Sequence, residues 1–165
     1  METEISLFED DELMLNHENQ YFLFYSDGDI YGIDASCIVE IVEYQSYTKV
    51  PNLSSFVLGV TNIRGDIVSV IDFLDRCKIS STVISKKSAF IILSFKKQKI
   101  ALLVDEIYEV DGFDDSSFLD APKFGTKIES HFISKLVEYR GKNISILNLD
   151  RLLNLEELSC EVLYG

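Results

Sequence analysis

The sequence predicts a mostly β protein built as two small antiparallel barrels, and three observations carry that prediction. The chain repeats itself, its apolar segments are short and β-branched, and polar turn signals separate them. "FVLGVTNIRGDIVSVIDFLDR", from Phe56, matches "FISKLVEYRGKNISILNLDRLL", from Phe132, at a shift of 76 residues. That shift sets Arg64 on Arg140, Gly65 on Gly141, Ser69 on Ser145 and Asp72 on Asn148. Upstream, "FLFYSDGDIYGIDASCIVEIVE" matches "IILSFKKQKIALLVDEIYEV" at a shift of 69, which sets Glu40 on Glu109 and Ile41 on Val110. The seven-residue difference falls within "DGFDDSSFLDAPKFGTKIES".

Each element follows from its residues. The first repeat opens with a strand at Phe22–Tyr25, a turn at Asp27-Gly28 and a return strand. The second does the same with Phe90–Phe95 and Lys96-Lys97. "IVSVI" and "ISIL", after the two Arg-Gly pairs, have the apolar, β-branched makeup of strands lining a barrel interior. Gly59, Gly65 and Gly141 read as structural turn glycines. A C-terminal helix from about Asp150 to Leu158 would be capped by Asp150, with Leu152, Leu153 and Leu158 as its apolar stripe. The expected organisation is an acidic leader over 1–19 and one domain over 20–160, its two interlocked subdomains corresponding to repeats at about 20–78 and 88–155. Neither repeat is long enough for a generous core, so the junction between them should be apolar.

Charge bounds the function. The net charge is −13, but residues 1–20 hold seven acids (Glu2, Glu4, Glu9, Asp10, Asp11, Glu12, Glu18) and no Lys or Arg. The remainder carries 21 acids against 15 bases, a net of −6. The leader reads as a solvated, self-repelling segment whose Ile5, Leu7, Phe8, Leu13 and Leu15 could dock as a short helix. An acidic balance argues against nucleic acid and against anionic membrane surfaces. No apolar run approaches the ~20 residues of a membrane helix, and residues 1–20 lack the marks of a signal peptide. Cys37, Cys77 and Cys160 are widely spaced with no CxxC pair, which fits a reducing cytoplasm without disulfides or zinc.

No catalytic constellation is assembled. His17 and His131 lack metal-ligand spacing, and no GxxxxGK or GxGxxG loop exists for phosphate or dinucleotide. Cys37, in "ASCIVEIV", reads as a core filler. Asp72, Asp105 and Asp150 sit at strand ends, where turn and capping roles are the commoner use. The sequence therefore implies no enzyme, no metal and no cofactor. The duplicated acids and arginines point instead to an ion pair of Arg64 with Glu40, because a guanidinium fork matches a carboxylate; for Arg140, a pair with Glu109 and a solvent-exposed turn arginine both stay open.

"VPNLSSFVLGVTNIRGDIVSVIDF", followed by "IALLVDEIYEV" and "APKF", resembles the CheW family of chemotaxis coupling proteins over roughly residues 20–155. The resemblance implies two five-stranded Src-homology-3-like barrels and no enzymatic activity. It implies a cytoplasmic adaptor held in membrane-bound arrays through protein contacts. Its partners would be the cytoplasmic tip of methyl-accepting chemoreceptors and the regulatory domain of the histidine kinase CheA, with other CheW copies in array rings. The family's receptor-facing groove between the barrels maps onto Ile38, Glu40, Arg64, Ala89, Ala101, Ile107 and Val110. Its second-barrel kinase contact maps onto Leu119, Pro122 and Phe124. Ser55 and Ser69 stand where the family usually has proline, and Leu119 where a well-known member carries a basic residue. Two alternatives remain at this point: a CheW-like module normally fused to a receiver domain, and a small-barrel protein binding single-stranded nucleic acid on its aromatics.

Overall fold

The computed structural model describes residues 20–120 and 127–154. Eleven strands are defined among them: β1 (Gln20–Ser26), β2 (Asp29–Asp34), β3 (Ile38–Glu43), β4 (Val57–Ile63), β5 (Asp66–Asp72), β6 (Ala89–Phe95), β7 (Gln98–Val104), β8 (Glu106–Gly112), β9 (Phe118–Asp120), β10 (Ile133–Tyr139) and β11 (Lys142–Leu147). Short helices follow the two Arg-Gly hairpins, α1 (Phe73–Arg76) and α2 (Leu149–Leu152). The strands form a five-stranded sheet in the order β3-β6-β7-β5-β4 and a six-stranded sheet in the order β8-β1-β2-β11-β10-β9. The mostly β, two-barrel prediction therefore holds.

Each sheet mixes strands of both repeats. β5 pairs in parallel with β7, Ser69 opposite Ile100, while β11 pairs in parallel with β2, Ser145 opposite Tyr31. β3 lies against β6 with Glu40 opposite Ile92, and β8 against β1 with Glu109 opposite Leu23. The second member of each comparison is the first moved by the repeat shifts, so the exchange is reciprocal residue for residue. The sixth strand arises in the inserted stretch. Leu119 in β9 pairs with Leu136, where the first repeat has only an isolated bridge from Thr48 to Val60.

The four two-residue hairpins share one turn geometry. Asp27-Gly28, Arg64-Gly65, Lys96-Lys97 and Arg140-Gly141 all have positive φ at both central positions, the backbone that matches strand twist. Gly59, expected in a turn, lies inside β4 at a register shift. A Cβ there would run into the carbonyl of Thr48 and come 3.0 Å from the Lys49 Cα. Glycine is needed for the close approach of a neighbouring chain segment at a bulge.

Strand alternation sorts the apolar residues into three clusters. Phe90, Ile92, Ala101, Leu103, Val68 and Val70 fill the five-stranded barrel. Tyr21, Leu23, Ile30, Val137, Ile144 and Ile146 fill the six-stranded one. The opposite faces of the same strands (Phe24, Tyr31 and Ile33 from one sheet; Ile91, Leu93, Ile100 and Leu102 from the other) form the largest cluster, between the barrels. The junction is apolar as expected, but its centre is buried core and offers no surface.

The helix caps follow the repeat. Asp72 accepts from Leu74 N and caps α1; Asn148 accepts from Arg151 N and caps α2. The expected cap, Asp150, instead stands in the first turn of α2, one residue past the start of a helix that begins earlier than its charge suggests. Leu158 lies outside the described residues, as do the leader's apolar positions, His17 and Cys160.

Candidate functional site

The two ion pairs sit where each barrel closes. β3 and β4 occupy opposite edges of the five-stranded sheet, yet Arg64, at the β4–β5 turn, reaches Glu40 on β3. Its Nε donates to both carboxylate oxygens at 3.1 Å, and its Nη2 lies 3.0 Å from Oε1. Beside it Gln45 Nε2 donates to Thr61 Oγ1 and to the Asn62 carbonyl, both at 2.8 Å, and the Thr48–Val60 bridge completes the join. The permanently charged Arg64 thus clasps the open edges of a curled sheet.

The second barrel repeats the clasp in looser form. Arg140 Nη1 lies 3.4 Å from Glu109 Oε1, and the other oxygen accepts from Tyr139 Oη at 2.7 Å. Tyr139 occupies the place that Ile63 holds in the first repeat. Ile63 cannot hydrogen-bond, so Glu40 gives both oxygens to its arginine; Glu109 is shared. Its hydrogen bond to Glu109, then one to Asp111, holds the Tyr139 phenol above its ordinary value.

Of the residues assigned to the receptor-facing groove, five reach or approach the surface. Ile38 and Ile107 are half-buried, each packed on the inter-barrel cluster from β3 and β8, which are equivalent strands. Val110 is 48% exposed, Glu40 is partly exposed and Arg64 extends into solvent. Ala89 and Ala101 do not belong with them. They are 5% and 0% exposed, with Ala101 inside the five-stranded barrel, because a small side chain at an inward strand position fits a crowded interior. Two exposed apolar residues close in sequence to the Arg64–Glu40 pair are not marked by the sequence: Val39, at a register shift in β3, and Ile67, beside the Arg64 turn. Bulging breaks the alternation that would have turned Val39 inward.

On the six-stranded sheet Leu119 stands exposed on the edge strand β9. Pro122 and Phe124 lie outside the described residues. Close by, Lys135 Nζ sits 4.0 Å from the centre of the Phe118 ring, in a cluster that also holds Tyr21, Phe113 and Tyr139.

The groups that could support chemistry are committed to structure. Asp72 is buried and accepts from Leu74 N, Thr82 N and Thr82 Oγ1, the last at 2.6 Å. Asp105 accepts from Asp27 N across the barrel junction. Cys37, half-buried in a three-residue 3-10 turn, packs against the central cluster, and burial raises its thiol pKa. Burial pushes the Cys77 thiol up to about 12, away from the reactive thiolate. Among the described residues no cluster of His, Cys, Asp and Glu could hold a metal, and no helix is long and apolar enough to cross a membrane.

Comparison with known proteins settles the family. The CheW-like domain matches residues 20–157. The chain belongs to the CheW-like family. The chemotaxis protein CheW of Klebsiella aerogenes is 25% identical over 140 residues, covering 85% of this chain and 84% of its own. That of Thermotoga maritima is 29% identical over 146 residues, covering 86% and 91%. Among solved structures, the scaffolding protein TtCheW from Thermoanaerobacter tengcongensis superposes with a TM-score of 0.79 at 32% identity, over 88% of this chain and 93% of that one. The CheW-like barrels here carry their duplicated clasp and their exposed β3, β8 and β9 residues without a reaction centre among the described residues.

Proposed function

We propose that this protein is a non-catalytic chemotaxis adaptor that couples methyl-accepting chemoreceptors to the regulatory domain of the histidine kinase CheA, in the cytoplasm. The observation that carries the reading is the Arg64–Glu40 clasp beside the exposed Val39 and the half-buried Ile38. A charged pair rimming a shallow apolar strip suits one face of a helical hairpin, the receptor element implied by the family resemblance. The relatives' names, chemotaxis protein and scaffolding protein, support the same part. Leu119 on β9, with the adjoining Pro122 and Phe124, would supply the kinase contact.

The test uses the purified full chain with a receptor cytoplasmic fragment and the CheA regulatory domain. Both bind at roughly micromolar strength. Arg64→Glu weakens the receptor complex about tenfold or more and spares the kinase complex, while Phe124→Ser does the reverse. Binding to neither partner would overturn the proposal.

A further inference from the structure

The β6–β7 turn departs from its three counterparts. The equivalent turn of the first repeat is Asp27-Gly28, and the two Arg-Gly turns also end in glycine; here Lys96 and Lys97 take φ 50 and 67 with no glycine at all. Left-handed backbone at two lysines carries a conformational cost that glycine would avoid, and strain of this kind is kept where the side chains have work. Both side chains are exposed, and among the described residues neither has a carboxylate partner. Lys96 rests over the Phe95 ring, 5.3 Å from its centre. Lys99 joins them and pairs with Asp66 at 2.8 Å, next to the exposed Ile67. A cationic tip with an apolar neighbour thus stands on a chain of net charge −13.

The strand registers bring the start of β1 to the same corner. Tyr21 lies opposite Asp34, so Gln20 stands beside the 3-10 turn Ala35–Cys37. Leu93 lies opposite Ile38, and antiparallel continuation carries Phe95 and the lysine turn past that same 3-10 turn, which touches both β1 and β6. Asp34, the nearest acid on that turn, is engaged with Ser36 N and Oγ. The 19 residues before Gln20 carry seven acids and no Lys or Arg, and at ~3.4 Å per extended residue they reach the tip many times over.

We propose that the acidic N-terminal segment docks on the chain's own Lys96–Lys97–Lys99 tip, its carboxylates facing the ammonium groups and its apolar side chains covering Ile67. The tether makes the encounter intramolecular, at an effective concentration in the millimolar range. Contacts between solvated charges are screened by salt, so the latch is electrostatic and releasable. An acidic partner segment would compete for the same tip.

Zero-length carbodiimide coupling of the full-length protein at low salt, read by mass spectrometry, tests this directly. Leader carboxylates are expected to couple to Lys96, Lys97 and Lys99 within one chain. Coupling should fall at least about fivefold near 0.5 M salt, where the screening length drops to ~4 Å. The double variant Lys96→Asn/Lys97→Gly keeps a favoured turn and should cut coupling at Lys99 by a similar factor. Replacing Glu9, Asp10, Asp11 and Glu12 by their amides should move the backbone amide resonances of residues 96–99. Coupling of the leader chiefly to Lys127 or Lys135, or only between chains as a covalent dimer, overturns the proposal. So does a tip that instead carries the protein onto phosphatidylserine vesicles while its resonances ignore the leader's charge.

Discussion

Arg76 donates its Nε hydrogen to the carbonyl of Leu152 at 2.6 Å, and Leu152 is the residue that occupies Arg76's own place in the second repeat. A second donor, Nη2, reaches the Arg151 carbonyl at 3.0 Å. The guanidinium lies between Phe56 and Phe132, 4.9 and 4.8 Å from the ring centres, and those phenylalanines are themselves repeat equivalents. One 4%-exposed charge therefore ties the end of α2 to α1 at the pseudo-symmetry centre.

Removing Arg76 strands carbonyls at the end of α2 and opens a space between two rings. Arg76→Ala should cost about 2–4 kcal/mol of folding stability, the range for breaking a buried hydrogen-bonded charge. Arg76→Lys should recover part of it, since an ammonium can donate but cannot stack as a plane. Urea denaturation followed by tyrosine fluorescence measures both, and a loss below 1 kcal/mol for the alanine variant would refute the tie.

Backbone conformation supplies a pair of opposite predictions. Lys97→Gly should stabilise the fold by about 0.5–1 kcal/mol, because φ 67 suits glycine. Gly59→Ala should destabilise it by roughly 2 kcal/mol or more, since the added methyl meets the Thr48 carbonyl and breaks the bridge to Val60. Thermal melting of the two variants checks the signs; a stabilising Gly59→Ala would mean the bulge is not as described.

Much of this was legible in the chain. The Arg64 and Glu40 matches predict the clasp, and the alignment of Asp72 with Asn148 marks the true cap of α2, although the charge on Asp150 makes that residue look the better cap. The strand exchange was not legible, because identical registers in the two repeats allow β5 to pair with β2 or with β7 equally well, and only the packed molecule decides. Ala101 gave no sign of burial, since alanine fits a groove floor and a barrel interior alike. Arg76 gave none either. A charged residue in "FLDRC" is ordinarily solvent-facing, and its burial depends on two aromatic rings from separate repeats.

Alkaline pH should loosen the fold through its buried acids. Burial pushes the Cys77 thiol up to about 12 from 9.0, and burial also raises the Tyr31 phenol. With folded pKa values above unfolded ones, the folded state holds more protons than the unfolded state between the two values. Stability is then fully present below about pH 9 and falls as pH rises toward 12. Urea midpoints measured across pH 8–11 should decline above about pH 9, and Cys77→Val should flatten part of the decline. A wild-type midpoint that holds steady to pH 11 would contradict the burial of both groups.

The Arg64–Glu40 clasp separates stability from recognition. Arg64 is 75% exposed in its side chain, and exposed pairs contribute about 0.2–1 kcal/mol. Arg64→Glu should therefore shift the unfolding midpoint only slightly, with a like-charge contact to Glu40 as the source. Its effect on a receptor fragment should be much larger, since the same change alters the rim of the proposed groove. The double variant Glu40→Arg/Arg64→Glu rebuilds the pair with reversed polarity. If the clasp acts by fixing the β3 edge against the β4–β5 turn, the double variant regains most of the lost receptor affinity. If Arg64 itself touches the receptor, stability returns and affinity does not. Titration of the fragment against the wild type and the two variants distinguishes the two. A double variant no better than Arg64→Glu in both stability and affinity would show that the pair does not close this barrel.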